Sequence, residues 1–230
     1  MVKTVFLDYD DTLHDSQYIF GNKLDGLLEI PGEELWYIYL NKIHRGIIHR
    51  EYPDNHDDLI LHCKLLLEYL HISFDNKFVK KFLKVYREAR VETWTIPRFF
   101  KDVERFLRAL RDMNLKICLS TGNFSKEKVE CINHTFKKDF FVYAFDETIL
   151  GFKKHDTKYY VKALIESDSS NLETVCIGDA LEMDIEPSKA VGIKTIWINR
   201  RKEKLSEVQP DFIAKDLNDA LNQIISLKIS

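Results

Sequence analysis

The sequence predicts a three-layer α/β fold: a parallel β-sheet with helices on both faces, interrupted after its first strand by an all-helical insert. Three observations carry this. Residues 2–7 form a short apolar, β-branched run that stops at Asp8, the mark of a buried strand. After Pro97, strand-like and helix-like segments alternate, a pattern that builds parallel strands joined by crossover helices. Between Tyr18 and Arg90 no strand signal occurs. The first strand therefore belongs with the later α/β segment. The expected organisation is a discontinuous core, residues 1–15 and 96–230, with a helical domain at residues 16–95.

Within the insert, helices are expected at about residues 32–45, 54–69 and 75–90. In the first, Leu35, Ile38, Tyr39 and Ile43 keep a three-to-four spacing, and Gly46 stands where a helix would close. Leu65, Leu66, Leu67 and Leu70 in the second point to burial on more than one face. Phe78, Phe82, Val85 and Tyr86 line one face of the third, with Asp75 as its N-cap. In the core, a helix at 100–113 leads to a strand at 116–120. A helix at 126–132, a strand at 140–145 and a helix at 158–165 follow. The strand at 174–177, a helix at 185–190 and the strand at 195–198 come next. A short strand at 212–213 precedes a helix from Leu217, capped by Asp216.

The 230 residues carry 34 Lys+Arg against 37 Asp+Glu, and this net charge of -3 argues against a nucleic-acid binder. No apolar run approaches the ~18 residues of a membrane span, and the N-terminus lacks the pattern of a signal peptide. Cys63, Cys118, Cys131 and Cys176 have no CxxC or framework spacing, so they read as reduced thiols of a cytoplasmic protein.

Ligands of an open parallel sheet bind outside the carboxyl ends of its strands. The first strand ends in Asp8, Asp10, Asp11 and Thr12, the second in Ser120-Thr121-Gly122-Asn123. Lys153 and Lys154 lie beyond the third, and the fourth ends in Gly178-Asp179, with Glu182 and Asp184 following. Carboxylates crowded in this way repel unless a cation sits among them. Mg²⁺, a hard cation with oxygen ligands, suits such a site. The metal and a lysine would also attract a phosphate dianion. A carboxylate at the end of the first strand is a candidate nucleophile forming an aspartyl-phosphate, with a second carboxylate two residues on as acid and base.

Asp8-Tyr9-Asp10-Asp11-Thr12 resembles the DxDxT motif of the haloacid-dehalogenase (HAD) superfamily of hydrolases. Thr121 is similar to that family's second motif, and Gly151-Phe152-Lys153-Lys154-His155-Asp156 to its third, GxxKPD. Gly178-Asp179-Ala180-Leu181-Glu182-Met183-Asp184 matches its fourth, GDxxxxD. The resemblance covers the whole chain and implies a Rossmann-like core with a C1-type cap as the insert.

It further implies a Mg²⁺-dependent phosphatase acting on a small phosphorylated metabolite, with roles position by position. Asp8 would attack phosphorus and bind the metal. Asp10 would protonate the leaving oxygen, activate water and offer its backbone carbonyl to the metal. Thr12 would support the loop. Thr121, with Gly122 and Asn123 beside it, would bind phosphoryl oxygens, and Lys154 would offset their charge. Asp179 would ligate the metal directly and Asp184 would hold its waters. His155 stands where the family has Pro, which leaves Lys153 and Lys154 to be distinguished; spacing from Gly151 favours Lys154.

Family dehalogenases attack carbon, need no metal and lack the second Asp, so Asp10 favours a phosphatase. A phosphoglucomutase-like phosphotransferase keeps the same carboxylates. A non-catalytic scaffold usually loses the nucleophile, which is intact here, and a receiver domain would be about half this length. Among the histidines, His44, His49, His56, His62 and His71 show no i,i+4 pair and no HExxH, so no zinc site is expected there. His14 and His155 are expected near the mouth of the site, as substrate contacts or surface packing. The insert's cations Lys23, Lys42, Arg45 and Arg50 are candidates for a second anionic group of the substrate.

Overall fold

The computed structural model describes residues 1–205 and 207–229. The chain divides into two compact units, Met1–Asp15 with Pro97–Ser230, and Ser16–Ile96. In chain order, strand β1 (Thr4–Leu7) leads to helices α1 (Ser16–Leu24) and α2 (Gly32–Ile38). A π-helix (Tyr39–Ile48) runs into a short α3 (His49–Glu51), and α4 (Leu59–Tyr69) and α5 (Asn76–Thr95) follow. Then come α6 (Val103–Asp112), β2 (Lys116–Ser120), α7 (Ser125–Phe136), β3 (Tyr143–Phe145), α8 (Glu147–Leu150) and α9 (Thr157–Glu166). The chain finishes with β4 (Thr174–Gly178), a π-turn (Leu181–Ile185), α10 (Glu186–Ala190), β5 (Lys194–Ile198), β6 (Phe212–Ala214) and α11 (Leu217–Ile229).

The α/β unit holds a six-stranded sheet of order β3-β2-β1-β4-β5-β6, with all pairs parallel. Successive side chains of a strand point to opposite faces, and both faces here are covered. Val5 and Leu7 of β1 join Ile117, Leu119, Val175 and Ile177 in a core completed by α6 and α11. Phe6, Cys118 and Cys176 face the other way, onto Tyr159, Tyr160 and Ala163 of α9. This two-sided burial is why the strands read as continuous apolar runs. The strand order reverses between β1 and β4, which makes their carboxyl ends the switch point where such sheets bind ligands.

The loop after β1 is anchored through Arg200. Arg200 donates to both oxygens of Asp102, at 3.1 and 3.0 Å, and to the Thr12 carbonyl at 3.1 Å. Its guanidinium also stacks over Phe100, 3.9 Å from the ring centroid. Asp102 accepts in turn from the Leu217 N–H that opens α11.

The helical unit has its own core, built from Phe20, Leu35, Trp36, Tyr39, Ile43, Leu66, Leu67, Phe78 and Phe82. Asp75 caps α5 as expected, accepting from the N–H groups of Lys77 and Phe78. Several boundaries differ from those read in the sequence. Helix α1 was not foreseen; α4 begins only at Leu59, capped by Asp58 through Ile60 and Leu61; α5 continues to Thr95. The strand expected at 140–145 is reduced to Tyr143–Phe145.

Gly46 does not close its helix. The chain passes through it as a π-helix, in which the His49 N–H donates to the His44 carbonyl. That wider i→i+5 turn also overturns the spacing argument about the histidines. In an α-helix, residues five apart lie about 140° around the axis from one another. Here the rings of His44 and His49 are 4.5 Å apart, and His56 lies 4.9 and 4.8 Å from them.

Among the described residues, no helix is long and apolar enough to cross a membrane.

Candidate active site

Asp8 directly follows β1, and its N–H donates to the Ile177 carbonyl of β4 at 2.9 Å. This bond sets Asp8 beside Gly178 and Asp179 at the switch point. From the π-turn after β4, Asp184 folds back so that its Oδ2 accepts from the Ala180 N–H at 3.0 Å. The Asp184 carboxyl occupies the space that any Cβ on Gly178 would need, so the glycine of this motif is required by close approach. Trp197 of β5 donates from Nε1 to the Asp179 carbonyl at 2.7 Å, and Tyr160 of α9 donates to the Met183 carbonyl at 2.8 Å. These bonds from neighbouring elements hold the turn that carries both carboxylates.

Asp8, Asp179 and Asp184 each present an oxygen within 4.8 Å of the others. Lys154 is buried between two of them, with Nζ 2.6 Å from Asp8 Oδ1 and 2.5 Å from Asp184 Oδ1. Burial works against the charge on Lys154, but the two carboxylates override it and hold the ammonium well above its ordinary range. Burial pushes the Asp184 carboxyl up, to about 7. Lys154 pulls it down while Asp8 and Asp179 add to the rise. Three carboxylates facing one ammonium leave an excess of negative charge in a buried spot. A hard divalent cation with oxygen ligands would relieve it, so the donor set fits Mg²⁺.

Lys153 and Lys154 are clearly distinguished. Lys153 pairs with Glu147 Oε2 at 3.1 Å, while Glu147 Oε1 accepts from the backbone N–H of Lys154 at 3.0 Å. Gly151, with φ of 77°, ends α8 and turns the chain so that Lys154 points inward.

The Asp10 side chain is not part of the carboxylate trio. It is partly exposed and accepts from Lys128 Nζ at 2.7 Å. The same ammonium donates to Thr121 Oγ1 at 2.8 Å and lies 5.0 Å from the centre of the Tyr9 ring. Lys128 was missed in the sequence. A signal existed: Ser125, Lys128 and Ile132 are the buried residues of α7, and their three-then-four spacing puts a lysine on an inward stripe. Asp146 fixes the start of that helix, accepting from Ser125 N–H at 3.0 Å and Oγ at 2.9 Å.

Thr121 is wholly buried, while Gly122 and Asn123 beside it are half-buried. No heavy atom approaches the Cβ position of Gly122. Thr12 is also buried; its hydroxyl makes no hydrogen bond. Asp11 has φ of 57°, and Asp11 N–H donates to the His14 carbonyl at 2.7 Å. That tight turn draws His14 inward, stacked on Tyr9 at 5.3 Å and edge-on to Phe99 at 5.6 Å. His14 is therefore a core residue, neither a substrate contact nor surface packing. His155 is half-buried.

The model of one protein family, described as haloacid dehalogenase-like hydrolase, matches residues 37–198. Glyceraldehyde 3-phosphate phosphatase of Pyrococcus abyssi is 26% identical over 209 residues, which is 88% of this chain and 83% of that protein. YfnB, a HAD-hydrolase of Bacillus subtilis solved bound to magnesium, superposes with a TM-score of 0.72 at 18% identity. The match covers 97% of this chain and 98% of that one. An L-2-haloacid dehalogenase of Xanthobacter autotrophicus superposes with a TM-score of 0.68 at 15% identity, over 99% and 100% of the two chains. The two structural likenesses speak to the fold.

Proposed function

The chain belongs to the haloacid dehalogenase-like hydrolase family, and from that premise we propose that it hydrolyses a small phosphomonoester with Asp8 as nucleophile. Asp8 Oδ attacks phosphorus and the bond to the leaving oxygen breaks. That oxygen takes a proton from the Asp10 carboxyl. Water then attacks the aspartyl-phosphate, gives its proton to Asp10, and releases inorganic phosphate. Lys154 balances charge on Asp8 and the phosphoryl group. Thr121, with the backbone of Gly122 and Asn123 beside it, hydrogen-bonds the phosphoryl oxygens, and Thr12 supports the loop. Lys128 orients Asp10 against Thr121.

Asp8, Asp179 and Asp184, with the Asp10 backbone carbonyl, are the residues that would hold Mg²⁺. When bound, the ion supplies positive charge that draws the phosphate in and steadies the charge of transfer. The single observation that supports this reading best is the buried Lys154 ammonium set between Asp8 and Asp184 with Asp179 alongside.

A dehalogenase would have no use for the second carboxylate, and here Asp10 is held in a network with Lys128 and Thr121. The helical unit Ser16–Ile96 is read as the family's C1-type cap. The four cysteines are free thiols, which fits a reducing, cytoplasmic setting.

The test is phosphate release from a panel of phosphorylated metabolites, three-carbon phosphates first given the name of the relative, with Mg²⁺ and with EDTA. Selective turnover that chelation abolishes and Mg²⁺ restores is expected. No release from any substrate, or full activity in EDTA, would overturn the reading.

A further inference from the structure

We propose that His44, His49 and His56 form a second metal site, in the helical unit, for a borderline transition-metal cation such as Zn²⁺. Each offers a ring nitrogen, and the three nitrogens lie within 4.8 Å of one another. The π-helix makes this possible. Its i→i+5 bond from the His49 N–H to the His44 carbonyl brings two imidazoles onto one face. His56, just beyond the turn Pro53–Asn55, closes the trio from outside that helix.

The donor chemistry agrees. His56 Nδ1 hydrogen-bonds the carboxylate of Asp57 at 3.3 Å. An ionised carboxylate only accepts, so Nδ1 carries the proton and Nε2 is left with its lone pair. This carboxylate–histidine pairing is the usual outer support of a metal-bound imidazole. His44 Nδ1 is buried with no hydrogen-bond partner, an expense that proteins rarely leave uncompensated.

His62 flanks the trio, 5.4 Å from His44, with Nδ1 bonded to the Tyr39 hydroxyl at 3.0 Å.

Imidazoles without carboxylates in the trio favour Zn²⁺, Co²⁺, Ni²⁺ or Cu²⁺ over the hard cations suited to Asp8, Asp179 and Asp184. Bonds of 2.0–2.1 Å in tetrahedral geometry set nitrogens about 3.3 Å apart, within reach of small side-chain rotations from the positions seen. Three histidines leave a fourth position for water. The three residues are each half-buried, while His44 Nδ1, both ring nitrogens of His49 and His56 Nε2 are buried, so the donors face inward. Once bound, it would tie the end of the π-helix to the segment before α4.

The experiment uses metal-stripped full-length protein dialysed against Zn²⁺ in millimolar Mg²⁺, which competes for the oxygen-ligand site. Bound zinc per chain and Tm are measured, and Co²⁺ replaces Zn²⁺ for absorption spectra. Expected are about one zinc per chain, a raised Tm and the cobalt bands of an imidazole-ligated ion. His49→Gln and His56→Gln should each lose this zinc, and Asp8→Asn should keep it. Asp57 is exposed, so Asp57→Asn tests the site without disturbing a core. It should weaken affinity about 10-fold or more. No zinc on the wild-type chain, or undiminished zinc on folded His49→Gln and His56→Gln, overturns the proposal.

Discussion

Lys128 donates from Nζ to Asp10 Oδ2 at 2.7 Å, joining the first strand's loop to α7 across 118 positions of chain. A lysine with only 1% of its surface exposed is rarely left in a fold without a charged partner. Its second bond, to Thr121, places it among the residues assigned to phosphoryl transfer. Lys128→Met is expected to lower kcat/KM about 10- to 100-fold, the worth of a hydrogen bond to a charged group. The loss should be greater for poor leaving groups, because Asp10 positions their proton. Equal loss across aryl phosphates of differing leaving-group pKa would remove Lys128 from that role.

Asp8→Asn should reduce phosphate release to background while circular dichroism and Tm show an intact fold. The substitution keeps the shape and removes the attacking oxygen's charge. Turnover near that of wild type would sink the aspartyl-phosphate mechanism.

Removal of Lys154 should cost both activity and stability. Asp8 and Asp184 would then face each other buried and without their cation. Breaking such a pair costs about 3–5 kcal/mol. Urea unfolding of Lys154→Ala without added metal should register that loss, and Mg²⁺ should restore part of it. Unchanged stability would mean that the carboxylates do not depend on the ammonium.

Gly178→Ala places a methyl group where the Asp184 carboxyl sits. Asp184 must move, at a cost of about 1–3 kcal/mol. A higher Mg²⁺ requirement for activity is expected, read as a rightward shift of the metal titration. A wild-type titration curve would show that Asp184's position is immaterial.

Burial pushes the thiols of Cys63, Cys118 and Cys176 up to about 12. Since the thiolate is the reactive form, these three should stay unlabelled by a disulfide reagent at pH 8 in the native protein. All four should react after denaturation. Rapid native labelling of any of the three would show that its surroundings open.

Local pattern revealed much of the core. Asp8 and Asp179 were legible because each follows an apolar run short enough to be a strand, and parallel strands send their carboxyl ends to one edge; Asp184, in the turn beyond β4, was legible only through the GDxxxxD spacing. Lys154 was legible through its distance from Gly151, while its ion pairs with Asp8 and Asp184 show only in the structure. Helix α1 was obscured because Ser16–Leu24 mixes polar and apolar residues without a clear stripe. Gly46 misled because a glycine ends an α-helix more readily than it continues a π-helix.

The sequence by itself determined the alternation of strands and helices, the inserted helical segment and the carboxylates at the strand ends. These follow from period and punctuation along neighbouring residues. Only the tertiary structure decided that Asp10 turns to Lys128, that His14 belongs to the core, and that His44, His49 and His56 converge. Those relationships join residues by the wrap of the backbone rather than by spacing along it. They depend on a tight turn at Asp11, an inward face of α7, and one wide helical turn whose geometry no α-helical spacing rule describes.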